Sequence, residues 1–184
     1  MSGSNLLYID RGVLTNLCAT ECAIEILQAL PYRCATLDAV AAMPLFFWST
    51  SQEGEELSAC TEGPLIPLLN SGALEVQTAQ REQNRQIFIV FACRFRDVQA
   101  DLFTLASVRG ATLAVDDRCT RRILHDIAPD LALTGTLALL QNWQIKLQLS
   151  DAAVESPLQS MAYKAQFVPR EDDPLLTWWE TIIK

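Results

Sequence analysis

Two short apolar runs, each followed directly by acidic residues, constrain the fold of this chain more than any other feature. Residues 6–9 (LLYI) precede Asp10. Residues 112–115 (TLAV) precede the pair Asp116 and Asp117. Continuous apolar runs of this length are typical of strands in a parallel sheet that is covered on both faces, where ligands bind at the carboxyl ends of the strands. If the two strands are neighbours, carboxylates from distant parts of the chain meet at one edge of the sheet.

The rest of the chain alternates predicted strands with predicted helices. Further strands are predicted at residues 33–37, 74–78 and 131–133. Helical spacing predicts helices at residues 13–17 followed by 22–30, at 39–48 with a kink at Pro44, and at 65–70, 86–95, 98–108, 118–127 and 137–143. The polar stretch 49–63 is predicted to be a loop. Strands separated by helices imply right-handed crossovers, so the predicted fold is α/β: a three-layer α/β/α sandwich with a central parallel sheet.

The size of the chain predicts one globular unit. Its 184 residues, half of them apolar, can bury a sizeable core. We expect an α/β domain over residues 1–150 and a C-terminal helical extension over residues 151–184 that packs on the same domain. The extension is predicted to hold helices at 152–163 and 174–183, the second with Asp173 as N-cap and Pro174 in its first turn.

The charge and the cysteine content limit which partners and which cellular compartment the sequence predicts. The net charge of −8 disfavours broad, sequence-independent binding to nucleic acid, yet residues 94–122 carry six arginines and four aspartates, so that segment is net +2. No apolar run approaches the roughly 20 residues that cross a bilayer, so no membrane partner is predicted. Six cysteines in mostly apolar segments and an N-terminus without a secretory leader predict reduced thiols and a cytoplasmic location.

Three segments, taken in order, resemble the PIN-domain superfamily, which includes the ribonuclease toxins of toxin–antitoxin pairs. They are residues 8–14 (YIDRGVL), 68–76 (LLNSGALEV) and 105–118 (LASVRGATLAVDDR). The tail from 167–169 (FVP) to 174–179 (PLLTWW) also resembles a PIN-like prokaryotic group of predicted nucleic-acid-binding proteins. The resemblance covers nearly the whole chain. It implies a PIN-like α/β domain that holds Mg²⁺ or Mn²⁺ and hydrolyses RNA phosphodiesters, with an antitoxin-like protein as a partner.

The resemblance also implies a set of four acids around the metal, because hard cations prefer oxygen ligands and activate water for attack on a phosphate. Asp10 matches the first acid. Asp117 matches the fourth, with Asp116 beside it as a contributor or as a helix N-cap. The second falls at Met43, which cannot ligate a hard metal, and the third at Gln99, which offers a neutral carbonyl oxygen.

Nearby acids do not complete the set by helical geometry. Asp97 and Asp101 each lie two residues from Gln99, about 200° around a helix, and are predicted to share the opposite, solvated face. The predicted catalytic residues are therefore Asp10, Asp116 and Asp117, and the predicted metal ligands are these three with Gln99.

Predicted nucleic-acid contacts flank the acids. They are Arg118, Arg121 and Arg122, together with Thr136 in the turn after the last short strand. Arginine binds phosphate bidentately, which favours RNA contact. The alternative is that the arginines form a solvated basic face that pairs with the chain's own carboxylates and that Thr136 caps a helix.

Two hypotheses remain. The first is a metal-dependent endoribonuclease, which the strand-end acids favour. The second is a catalytically inactive PIN-like domain that binds RNA or another protein, which Met43 and Gln99 favour. Homodimerisation stays open, since Trp178 and Trp179 cannot both face one surface equally and aromatic residues are enriched at subunit contacts.

Overall fold

A parallel sheet forms the centre of the molecule. The structure is a computed structural model that describes residues 5–51, 54–59 and 63–183. Its strands are β1 Leu6–Ile9, β2 Arg33–Leu37, β3 Phe46–Ser51, β4 Gly54–Ala59, β5 Glu75–Gln77, β6 Thr112–Ala114 and β7 Leu133–Thr134. Five of them form a sheet in the order β5-β2-β1-β6-β7, and every pairing in it is parallel. The predicted α/β class with a central parallel sheet is confirmed.

Helices cover this sheet. In the described part of the chain they are α1 Arg11–Ala19, α2 Ala23–Ala29, α3 Asp38–Ala41, α4 Ile66–Asn70, α5 Arg85–Ala92, α6 Asp97–Val108, α7 Arg118–Ile127, α8 Thr136–Leu147, α9 Asp151–Lys164 and α10 Leu176–Ile182. α6 contacts β1, β2 and β6 and packs with α5, whereas α1 packs with α2, α8 and α9. The arrangement is consistent with the predicted three layers. None of these helices has the length and apolar character needed to cross a membrane.

Burial explains why the strands have continuous apolar sequences. Leu7, Tyr8 and Ile9 of β1 are fully buried, because β1 lies in the middle of the sheet between β2 and β6. Ile9 stands opposite Ala114 in the β1–β6 ladder. The residues that follow the two strands therefore leave the sheet side by side, as the two apolar runs predicted.

The helix predicted at residues 39–48 is wrong beyond Ala41. α3 ends there, and Phe46–Ser51 forms β3, paired antiparallel with β4. Pro44 cannot donate a helical hydrogen bond and disfavours helical geometry at the residue before it, while the aromatic run that follows suits a strand. The loop predicted at 49–63 is wrong for residues 49–51, which belong to β3, and for Gly54–Ala59, which is strand β4; residues 52, 53 and 60–62 of that prediction lie outside the described residues.

The C-terminal segment packs on the α/β part through both of its helices. Ser160 of α9 donates a hydrogen bond to the carbonyl of Ala19 at 2.8 Å. In α10, Trp179 is buried with its ring 5.5 Å from that of Phe167, and Trp178 donates from Nε1 to Gln144 at 2.8 Å. This helix begins at Leu176, two residues later than predicted. Asp173 accepts from the Leu175 N–H in the turn before it, and Leu175 is the N-cap.

Candidate functional site

Asp10 lies at the carboxyl end of β1. Its backbone N–H donates to the carbonyl of Ala114, which extends the β1–β6 ladder by one bond. Its side chain caps α1, because Oδ1 accepts the N–H of Val13 at 2.8 Å. The first strand-end acid is thus held by the start of the helix that follows it.

The environment of Asp10 favours its neutral form. The pKa of Asp10 is raised from its usual value near 4 to about 7, and desolvation is the largest cause of the rise. The negative charges of Asp116 and Asp117 contribute to the rise, while the backbone N–H groups of Val13 and Gly12 oppose it. The neutral form of the carboxyl group is therefore more accessible near neutral pH than that of an exposed aspartate.

Asp116 lies at the end of the neighbouring strand and is held by several donors. Oδ1 accepts the N–H of Thr136 at 2.8 Å, and Oδ2 accepts from Asn16 Nδ2 at 2.8 Å and from the Thr136 hydroxyl. A Cβ at Gly135 would come within 2.9 Å of Asp116 Oδ1, so the close approach requires glycine there. Both oxygens of this carboxylate are committed to the protein's own donors.

Asp117 points away from this network. It is exposed, and its Oδ2 accepts the N–H of Thr120 at 2.6 Å as the N-cap of α7. Asp116 also raises the pKa of Asp10 more than Asp117 does. The geometry therefore favours Asp116, not Asp117, as the second acid of the strand edge.

Met43 and Gln99, the positions where the resemblance implies the second and third acids, lie beside Asp10. All three line one cavity of about 480 Å³, hereafter the Asp10 cavity. Three of the four positions where the resemblance implies acids thus come together in the fold, and the fourth, Asp117, does not line this cavity. Only Asp10 among the three carries a carboxyl group.

The remaining lining of the Asp10 cavity is apolar and cationic. Val40, Val98 and Leu102 supply apolar wall, and the two exposed side chains Arg11 and Arg96 supply positive charge. Arg11 also donates from Nη2 to the carbonyl of Pro44 at 2.8 Å, and this hydrogen bond holds the Arg11 guanidinium next to Pro44. Two arginines against one carboxyl group make the charge of the cavity lining net positive in either protonation state of Asp10.

Asp116 lines a different cavity. It has a volume of about 230 Å³, and its wall includes Arg121, Gly135 and Phe167. Arg121 donates from Nη1 to the carbonyls of Val115 and Thr134, at 2.8 Å and 2.7 Å. This side chain therefore links the ends of β6 and β7. Because it already donates to two backbone carbonyls, it has fewer free N–H groups for an RNA phosphate than the predicted contact requires.

The other predicted RNA contacts have different surroundings. Arg118 and Arg122 are exposed on α7. Thr136 is fully buried, and its hydroxyl and N–H both bond Asp116, which leaves it no surface for nucleic acid. It is the first residue of α8 and not its N-cap, which is Gly135.

The prediction that Asp97 and Asp101 share a solvated face is wrong for Asp101. Its side chain is buried and accepts from Arg81 Nε at 2.8 Å and Nη2 at 2.7 Å. Arg81 also donates to the exposed Asp97 at 3.0 Å and lies over the Phe88 ring at 4.6 Å. Arg81 comes from the segment before α5, so the partner that allows Asp101 to be buried is distant in sequence.

The donor set does not fit a resident Mg²⁺ or Mn²⁺. Within residues 5–51, 54–59 and 63–183, no group of three or more His, Cys, Asp or Glu side chains is arranged to hold a metal ion. Such ions need several oxygen ligands, and Mg²⁺ demands near-ideal octahedral geometry. Asp116 already accepts three hydrogen bonds, one oxygen of Asp10 accepts the Val13 N–H, and Met43 offers a thioether that hard cations bind poorly.

Three residues of this region were not predicted from the sequence. Asn16 anchors Asp116 from α1, and Arg11 and Arg96 bring charge to the Asp10 cavity. Arg11 directly follows Asp10, and that adjacency is a usable signal. Asn16 and Arg96 reach the site through tertiary packing, for which the sequence gives no local sign.

No protein-family model matches the chain, and neither the curated proteins nor the solved structures give a significant match. The PIN domain therefore stands as a resemblance carried by the residues quoted above.

Proposed function

We propose that this chain is a PIN-like domain that binds single-stranded RNA directly through arginines and does not hydrolyse it with a metal. The observation that carries the proposal is the composition of the Asp10 cavity. One carboxyl group, a thioether and an amide occupy it where the resemblance implies a ring of acids, and two arginines line it.

The charge of the Asp10 cavity suits a phosphate group. A full set of carboxylates would repel RNA unless a cation intervened, whereas Arg11 and Arg96 attract it without one. Guanidinium groups bind phosphate oxygens in a bidentate manner. The local field of a cavity can attract a ligand even when the net charge of the whole chain, −8 here, has the opposite effect.

The walls of the Asp10 cavity suit a nucleobase. Val40, Val98, Leu102 and Met43 give apolar contact for a ring, and the Gln99 amide offers both a donor and an acceptor to a base edge. The volume of about 480 Å³ lies within the usual range for small-ligand sites, about 300–1,000 Å³. Sequence-specific RNA recognition mostly involves unpaired bases, which favours a single strand as the ligand.

The proposal is tested by fluorescence anisotropy with a 5′-labelled single-stranded RNA in a buffer containing EDTA. We expect binding, and we expect Arg96→Ala to weaken it about tenfold, as for one lost charged contact to phosphate. The matched control is Arg85→Ala, which removes the same charge from an exposed position outside the Asp10 cavity and should change the affinity less than about twofold. Absence of binding, or equal effects of the two substitutions, would contradict the proposal.

A metal-dependent ribonuclease is the second candidate. The neighbouring positions of Asp10 and Asp116 at the ends of β1 and β6 favour it. Incubation of the same RNA with millimolar Mn²⁺ separates the two functions. Cleavage by the wild type that is lost in Asp10→Asn would establish the nuclease and overturn the non-catalytic proposal.

A further inference from the structure

The β3–β4 hairpin presents an apolar face beside the Asp10 cavity. Trp48 stands directly opposite Leu57 in the antiparallel register, so the two side chains lie on the same face. Phe46 is two residues before Trp48 and shares that face by strand alternation. We call Phe46, Trp48 and Leu57 the hairpin face.

Two of the three side chains of the hairpin face are exposed, and the third, Trp48, is partly buried. Phe46 is 41% exposed and Leu57 54% exposed. Phe47, which points the other way, packs against the hydrophobic core, and β3 contacts α1 and α9. The hairpin is therefore anchored through one side and offers an aromatic surface on the other.

Arg11 joins the hairpin face to the Asp10 cavity. Its guanidinium lies 5.9 Å from the centre of the Phe46 ring, and the same side chain lines the cavity. A cation between an aromatic surface and a phosphate-binding cavity matches the two recurring parts of a single-strand site, a positive groove for the backbone and rings on which bases stack. The charge of Arg11 favours RNA over an apolar protein surface as the occupant.

We infer that the hairpin face is a base-stacking platform that extends the RNA path out of the Asp10 cavity. This inference rests on the proposed function. Phe46 and Trp48 are about 7 Å apart along the strand, so each ring can take its own base. The ligand of the hairpin face is an unpaired, extended strand, because the bases of a duplex already stack on one another and cannot stack on side chains.

The test compares a short and a longer RNA. A 5′-phosphorylated dinucleotide reaches only the Asp10 cavity, whereas a single strand of about eight nucleotides also covers the hairpin face. We expect the longer RNA to bind more tightly. Phe46→Ala and Trp48→Ala should each weaken binding of the longer RNA about tenfold, and Trp48→Ala, which is not in contact with Arg11, should leave dinucleotide binding unchanged.

Two further variants make the readout specific to stacking. Trp48→Phe keeps an aromatic ring and should retain most of the affinity for the longer RNA. Leu57→Ser removes apolar area without removing a ring and should have a smaller effect than either alanine variant. Circular dichroism confirms that each variant is folded, and bound RNA should quench tryptophan fluorescence less in Trp48→Phe than in the wild type.

The outcomes separate this inference from the function on which it rests. If neither RNA binds, the proposed function fails and the platform fails with it. If both bind with equal affinity, or the alanine variants bind the longer RNA normally, the platform alone is wrong. If those variants instead convert a dimer to a monomer in sedimentation and leave RNA binding unchanged, the hairpin face is a contact between copies of the chain and the inference is overturned.

Discussion

Asp10 and Asp116 occupy the same edge of the sheet, yet their surroundings assign them different roles. Asp10 is desolvated, bonds the first turn of α1 and opens into a cavity lined by two arginines. Asp116 accepts hydrogen bonds from Asn16 and Thr136 and lies beside Gly135 in a different cavity. The difference shows that parallel strands bring acids together, whereas the donors around each acid decide whether it holds the structure or meets a ligand.

Removing the Asp116 side chain should have the largest effect on stability. Asp116→Ala leaves the Asn16 amide and the N–H and hydroxyl of Thr136 without their acceptor, so we expect a loss of about 2–3 kcal/mol in the free energy of unfolding. Asp10→Asn keeps an acceptor for the Val13 N–H and removes a charge that desolvation disfavours, so it should not lower the free energy of unfolding. Urea denaturation measures both. Equal losses would show that the two acids do not differ as described.

Two glycine substitutions test whether the surroundings of Asp116 are packed more tightly than those of Asp10. Gly135→Ala places a Cβ within 2.9 Å of Asp116 Oδ1, and we expect a loss of about 1–3 kcal/mol. Gly12→Ala, in α1, meets Asp10 at an ordinary 3.5 Å and should be neutral or stabilising by about 0.5–1 kcal/mol. The midpoint of urea denaturation distinguishes them, and a neutral Gly135→Ala would contradict the close packing around Asp116.

The pH dependence of stability should come from Asp10. Its pKa is raised by folding, so the folded state binds more protons than the unfolded state between about pH 4 and about pH 7. The free energy of unfolding should therefore fall as pH rises through this window and level off above it. The titration of Asp10 alone should account for a fall of more than about 1 kcal/mol. Urea titrations at several pH values measure the slope. It should be reduced in Asp10→Asn, and an identical slope in both proteins would exclude Asp10 as its source.

Much of the fold follows from local sequence pattern. The apolar runs of β1 and β6 predicted buried parallel strands, and the Ile9–Ala114 register shows that the two strands are neighbours, which the sequence analysis left as a condition. Met43 and Gln99 were singled out by the resemblance and not by periodicity, and both line the cavity of Asp10.

What the sequence could not supply are contacts between distant segments. The burial of Asp101 depends on Arg81, and the fixed position of Asp116 depends on Asn16, one hundred residues earlier. The hairpin of β3 and β4 was missed because the short apolar run after Pro44 fits a helix and a strand equally well until its partner strand is known.

The central claim is that the Asp10 cavity accepts RNA phosphate through arginine and not through a metal. The most direct test is the dissociation constant of a labelled single-stranded RNA measured in EDTA and again in millimolar Mn²⁺ at matched ionic strength, with the RNA length followed on a gel. We predict equal dissociation constants and intact RNA in both conditions. Binding that requires Mn²⁺, together with cleavage that Asp10→Asn abolishes, would contradict the account.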